Sequence, residues 1–121
     1  MESQVRALAA ARVALGAAMA LAPGPILRRW LGPEAAQPMG RLLARSVAGR
    51  DIALGLGTLL ALQHDAPVRG WLEATMLADA GDAVALLGGA RHLSWPRLAA
   101  AAVPTVAALA VGRRVVAQLE G

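Results

Sequence analysis

The sequence predicts an all-α protein: a four-helix up-down transmembrane bundle with a short interfacial helix between helices 1 and 2. Residues 1–121 form its single domain. Three observations lead there. Alanine and leucine, strong helix formers, dominate a chain with no Phe, no Tyr and few β-branched residues. Mean hydropathy is +0.52, with 57% hydrophobic against 17% charged residues, which excludes a disordered chain. Proline and glycine clusters cut the chain into four stretches, about 5–22, 39–62, 68–90 and 96–118, each near the roughly 20 residues an α-helix needs to cross a bilayer core.

The first stretch stops at Ala22-Pro23-Gly24-Pro25. Arg6, Arg12 and Ala20-Leu21-Ala22 follow the order of a signal peptide, but Pro23 would occupy the first mature position and block cleavage. Ile26 to Leu31, carrying Arg28, Arg29 and Trp30, is expected to lie in the membrane interface. Gly32-Pro33 to Pro38 introduces the second stretch, and Gln63-His64-Asp65-Ala66-Pro67 turns it into the third. Gly88-Gly89 through Ser94-Trp95-Pro96 leads into the fourth. Trp30, Trp71 and Trp95 all flank these breaks, where an aromatic belt falls. The competing reading is a soluble alanine-rich bundle. Such a bundle needs a polar face on every helix, and residues 98–112 offer only Thr105.

Twelve arginines, no lysine and eight acids give a net charge of +4. The arginines are scattered, and no Phe or Tyr is present to stack a base, so no nucleic acid is expected as a partner. Arginine pairs at the ends of apolar runs suit lipid headgroups instead, making the lipid bilayer the first partner and a bacterial inner membrane, crossed several times, the location. Arg6, Arg69, Arg113 and Arg114 fall on one side, and Arg28, Arg29, Arg41, Arg91 and Arg97 on the other. So even a distribution leaves orientation open and admits a dual-topology pair. The absence of cysteine excludes disulfides, thiolate metal sites and a cysteine nucleophile. His64 and His92 fall in loops on opposite sides, so no metal and no cofactor is expected.

Charge inside the apolar stretches is the informative feature. The second stretch carries Arg41, Arg45, Arg50 and Asp51, and the third carries Arg69, Glu73, Asp79 and Asp82. A hairpin turning at Asp65 sets Asp79 level with Asp51, and Asp82 between Arg45 and Arg50. Arg12 reaches the same depth from the first stretch. The expectation is three arginines (Arg12, Arg45, Arg50) meeting three aspartates (Asp51, Asp79, Asp82), with Thr75 on the same face and Glu73 one turn from the interface. Full cancellation matters, because an unpaired ion at that depth costs roughly 3 kcal/mol or more. Gly49, Ala53, Gly57 and Ala61 form a small-residue stripe for close helix approach, beside a second stripe of Asp51, Gly55 and Thr58. Gly16 and Gly112 offer the same on the outer stretches.

Gly49-Arg50-Asp51-Ile-Ala-Leu-Gly55 preceded by Arg45, the Pro23 to Trp30-Leu-Gly32 step and Asp79 together resemble a family of small uncharacterised four-helix bacterial membrane proteins of actinobacterial type. The resemblance implies the four-span fold and weight on Arg50 and Asp51, and it implies no substrate. On the residues alone, the leading functional expectation is an accessory or binding subunit with a buried Arg/Asp network, joined to another membrane protein or to a second copy. A membrane-embedded enzyme is the first alternative. There Asp79 or Asp82 would be the catalytic acid or base and Arg50 an anion clamp for a lipophilic small molecule. The second is a dual-topology transporter coupled through Asp79 or Glu73.

Overall fold

The computed structural model describes residues 2–89, 91 and 93–120; His92 and the expected helix end at position 90 lie outside the described residues. Among the described residues the fold is helical throughout, without strands. Four long helices, α1 (Glu2–Leu21), α3 (Pro38–Gln63), α4 (Arg69–Gly89) and α5 (Trp95–Glu120), are joined by short connections, and α2 (Pro23–Trp30) lies between α1 and α3. The Pro23-Gly24-Pro25 cluster, expected only to break a helix, also opens one. A proline costs nothing at a first-turn position, where its missing N–H would be unpaired anyway.

Each connection has a local cause. After α2, Gly32 adopts φ 106° and its N–H closes on the Leu27 and Arg28 carbonyls, a left-handed stop that suits glycine. A Cβ there would also collide with the Arg97 guanidinium. A single 3₁₀ turn, Pro33–Ala36, follows, and Gln37 is extended because Pro38 disfavours helix in the residue before it. After α3, Asp65 takes the left-handed position with φ 52°. The Ala66 N–H bonds the Ala61 carbonyl at 2.8 Å and the Asp65 N–H bonds Leu62 at 3.4 Å, the two bonds of a Schellman stop.

The long helices associate as two pairs. α1 packs along α3, α4 packs along α5, and the two pairs meet sparsely. Glycine sets the α1–α3 distance. A methyl at Gly55 would stand 2.7 Å from the Ala9 carbonyl oxygen, and one at Gly16 would stand 3.0 Å from that of Ala48. The expected stripe is thereby shifted by one face. Gly49 has open space around it, Gly57 receives the Trp71 ring, and Gly16 and Gly55 make the close approach.

Two apolar clusters close the ends. Val5, Leu72 and Val115, with Leu62 beside them, unite the start of α1, the end of α3, the start of α4 and the end of α5. Leu27, Ala36 and Ala44, with Met19, join α2, the 3₁₀ turn, the start of α3 and the end of α1 at the opposite end. The helices therefore alternate up and down. Two of them, Glu2–Leu21 and Trp95–Leu119, are long and apolar enough to cross a membrane, with mean hydropathies of 1.3 and 1.4. α3 and α4 are long enough but do not reach that standard of apolarity, so two of the four expected spans meet it by length and composition.

Candidate functional site

Midway along the helices, between the two end clusters, five charged side chains form one chain of ion pairs. Arg12, in the middle of α1, donates from Nη1 to Asp51 Oδ1 at 3.0 Å and from Nη2 to Asp79 Oδ2 at 2.7 Å. Arg50 on α3 grips both oxygens of Asp82, at 3.0 and 2.7 Å, and reaches Asp51 Oδ1 at 3.4 Å. The order is Asp79–Arg12–Asp51–Arg50–Asp82. Arg12, Arg50 and Asp51 belong to the α1–α3 pair, while Asp79 and Asp82 come from α4. The Arg12–Asp79 and Arg50–Asp82 bridges are thus what tie the two helix pairs together at this depth.

Asp79 and Asp82 share a face because residues three apart on a helix differ by about 60° around its axis. Thr75 lies on that face as well, and its hydroxyl donates to the Trp71 carbonyl one turn back, at 2.8 Å. Asp79 is the most deeply placed of the acids at 6% exposure. Its partner is Arg12, from the first helix, whereas hairpin depth had set Asp79 level with Asp51.

Two expected members stand elsewhere. Arg45 is exposed and donates from Nε to the Ala20 carbonyl at 3.1 Å, satisfying the last turn of α1. Depth placed it in the cluster, but five residues separate it from Arg50, about 140° around the helix, so it projects away. Glu73 is exposed and pairs with Arg69 within α4 at 2.8 Å. Six residues before Asp79, it stands about 120° off the cluster face. The expected balance of three against three is therefore corrected to two guanidiniums against three carboxylates. One negative charge is in excess.

The network borders a cavity of about 600 Å³ between the helix pairs. Arg12, Asp51, Asp79, Asp82 and Thr75 line it on one side, and Leu8, Leu15, Met19, Leu54, Met76 and Ala108 supply apolar wall. From α5 come Pro104, Thr105, Ala108 and Gly112, none of them charged. Gly112 admits the Met76 side chain, which would stand 3.0 Å from an added Cβ.

Trp30 and Pro104 complete the cavity, and the sequence reading missed their partnership. A proline inside a helix cannot donate to the carbonyl four residues earlier, here that of Ala100. The indole N–H of Trp30 fills that vacancy at 3.0 Å, tying α2 to α5 beside the cavity. The signal was a lone proline centred in an apolar run. Its partner, some seventy residues earlier in the chain, carries no signature of the pairing.

Among the described residues, no group of His, Asp and Glu is placed to hold a metal ion, since arginines lie between the carboxylates. Comparison with family models, curated proteins and solved structures finds no match, so the reading of the site rests on its geometry. What the arrangement can do chemically is hold an apolar body against a polar, net-negative floor.

Proposed function

We propose that this chain is a multi-pass membrane protein that binds a lipophilic small molecule between its two helix pairs. The observation that carries the reading is the 600 Å³ cavity, apolar on most of its wall and bordered by the ion-pair chain on one side. A scaffold serving only helix register would close that space, because apolar gaps forfeit packing energy on every surrounding side chain.

The distribution of side chains supports the membrane setting. Leu77 and Leu87 on α4 are 74% and 78% exposed, while Asp79 between them is buried. Leu15, Leu21, Val103 and Val106 on α1 and α5 are also exposed. Apolar groups outward and paired charges inward is the arrangement favoured where the surrounding medium is hydrocarbon. The arginine pair at the end of α2, Arg28 and Arg29, is exposed beside Trp30, as an interfacial helix requires.

The test uses pyrene, a neutral apolar probe, and native mass spectrometry of the full chain released from detergent. One pyrene per chain is expected for the wild type. Ala108→Trp, which adds an indole to the cavity wall from a position outside the ion-pair chain, should lose it while keeping the melting temperature. Equal pyrene retention by both proteins, or none by the wild type, would overturn the reading.

A further inference from the structure

The charge count at the cavity floor specifies what kind of molecule the cavity takes. We infer that its occupant is a lipophilic cation, an apolar body bearing one positive charge; this rests on the cavity reading above and adds its charge class.

Two independent observations combine here. The first is the imbalance. Arg12 is shared by Asp79 and Asp51, and Arg50 by Asp82 and Asp51, leaving three carboxylates on two cations. The groups facing the cluster are Arg12 from α1, Arg50 and Asp51 from α3, and Asp79 and Asp82 from α4, with no charge offered by α5. These three carboxylates pair with Arg12 and Arg50, and Arg45 bonds a backbone carbonyl of α1 instead.

The second is directional. Asp79 uses Oδ2 for Arg12, and Asp51 uses Oδ1 for both arginines. The remaining oxygens, Asp79 Oδ1 and Asp51 Oδ2, receive no guanidinium proton, and both residues line the cavity. A negative charge unbalanced in a medium of low dielectric constant is strongly unfavourable, and a cation seated against these two carboxylates removes the imbalance. A small hydrated ion would leave the apolar wall unsolvated. A cation with an apolar body meets both surfaces. An anion of the same size would add to the excess.

Asp51 is the residue that separates charge selection from architecture. Without its charge, Arg12 keeps Asp79 and Arg50 keeps Asp82, so both bridges between the helix pairs survive. The experiment compares tetraphenylphosphonium with tetraphenylborate, ions of like shape and opposite charge, by equilibrium dialysis against the full chain in detergent with empty micelles as blank. Wild type should bind one phosphonium per chain, at least about tenfold tighter than the borate. Asp51→Asn should weaken phosphonium binding by about tenfold or more with its melting temperature retained. Should Asp51→Asn fail to fold, Asp82→Asn serves instead, because Arg50 then keeps Asp51.

Borate bound as tightly as phosphonium, or phosphonium binding untouched in the folded variant, overturns the inference. The wild-type pyrene measurement separates the two levels. Pyrene retained without a preference for the cation refutes the charge class alone, whereas no pyrene retained by the wild type refutes the cavity reading with it.

Discussion

The seam between α1 and α3 and the seam between the two helix pairs solve the same problem in opposite ways. The first is closed by absence: Gly16 and Gly55 let backbones approach to distances that no side chain would allow. The second is held apart by charge. Two bridges, Arg12–Asp79 and Arg50–Asp82, span it beside a cavity, and an apolar cluster seals it at the end where Val5, Leu72 and Val115 meet. Where hydrocarbon surrounds a bundle, burying leucine gives no drive to associate, so close packing and polar contacts remain as the adhesive. One seam uses each. The packed seam has no room for a ligand, and the charged seam does.

The contrast breaks hardest at Arg12. Arg12→Gln leaves Arg50 as sole counter-charge to three carboxylates and removes one of the two bridges between pairs. Uncompensated buried charge typically costs about 3–5 kcal/mol, and a reversible unfolding titration in mixed micelles should show a loss of that order. Asp79→Asn should cost clearly less, because Arg12 retains Asp51. Equal losses from the two substitutions would mean that the cluster is not the five-membered chain described.

Gly55→Val attacks the packed seam. Its side chain must displace Val13 or the Ala9 carbonyl, so α1 and α3 separate at a cost of about 1–3 kcal/mol. The same change at Gly49, which has open space, should be nearly silent by the same titration. A larger loss at Gly49 than at Gly55 would invert the seam.

The smallest effect expected is at Trp30. Trp30→Phe keeps an aromatic ring at the site but removes the hydrogen bond to Ala100, worth about 1 kcal/mol. Combined with Pro104→Ala, which returns a helical N–H to that carbonyl, the loss should shrink. Additive losses would show that the proline vacancy and the indole are unrelated.

Much of the helical framework was legible. Helix-forming composition and proline–glycine punctuation set four long helices, with ends within about three residues of those observed, because both signals act locally. Depth was legible too, since rise per residue is constant along a helix. Arg12, Arg50, Asp51, Asp79 and Asp82 do converge midway.

Rotation about each helix axis was the harder quantity. Arg45 has suitable depth and faces elsewhere, and a glycine stripe one face away from Gly55 was equally apolar by sequence. Helices that are apolar nearly all round carry little periodic signal to say which side faces a neighbour. The sequence by itself therefore determined that the chain is helical, where its turns fall, and which charges share a level. Only the tertiary structure decided that two arginines rather than three meet the aspartates, that Trp30 reaches the carbonyl released by Pro104, and that a cavity opens beside them. Those outcomes depend on helix phase and on contacts between residues distant in the chain, which fold together only when all the helices pack.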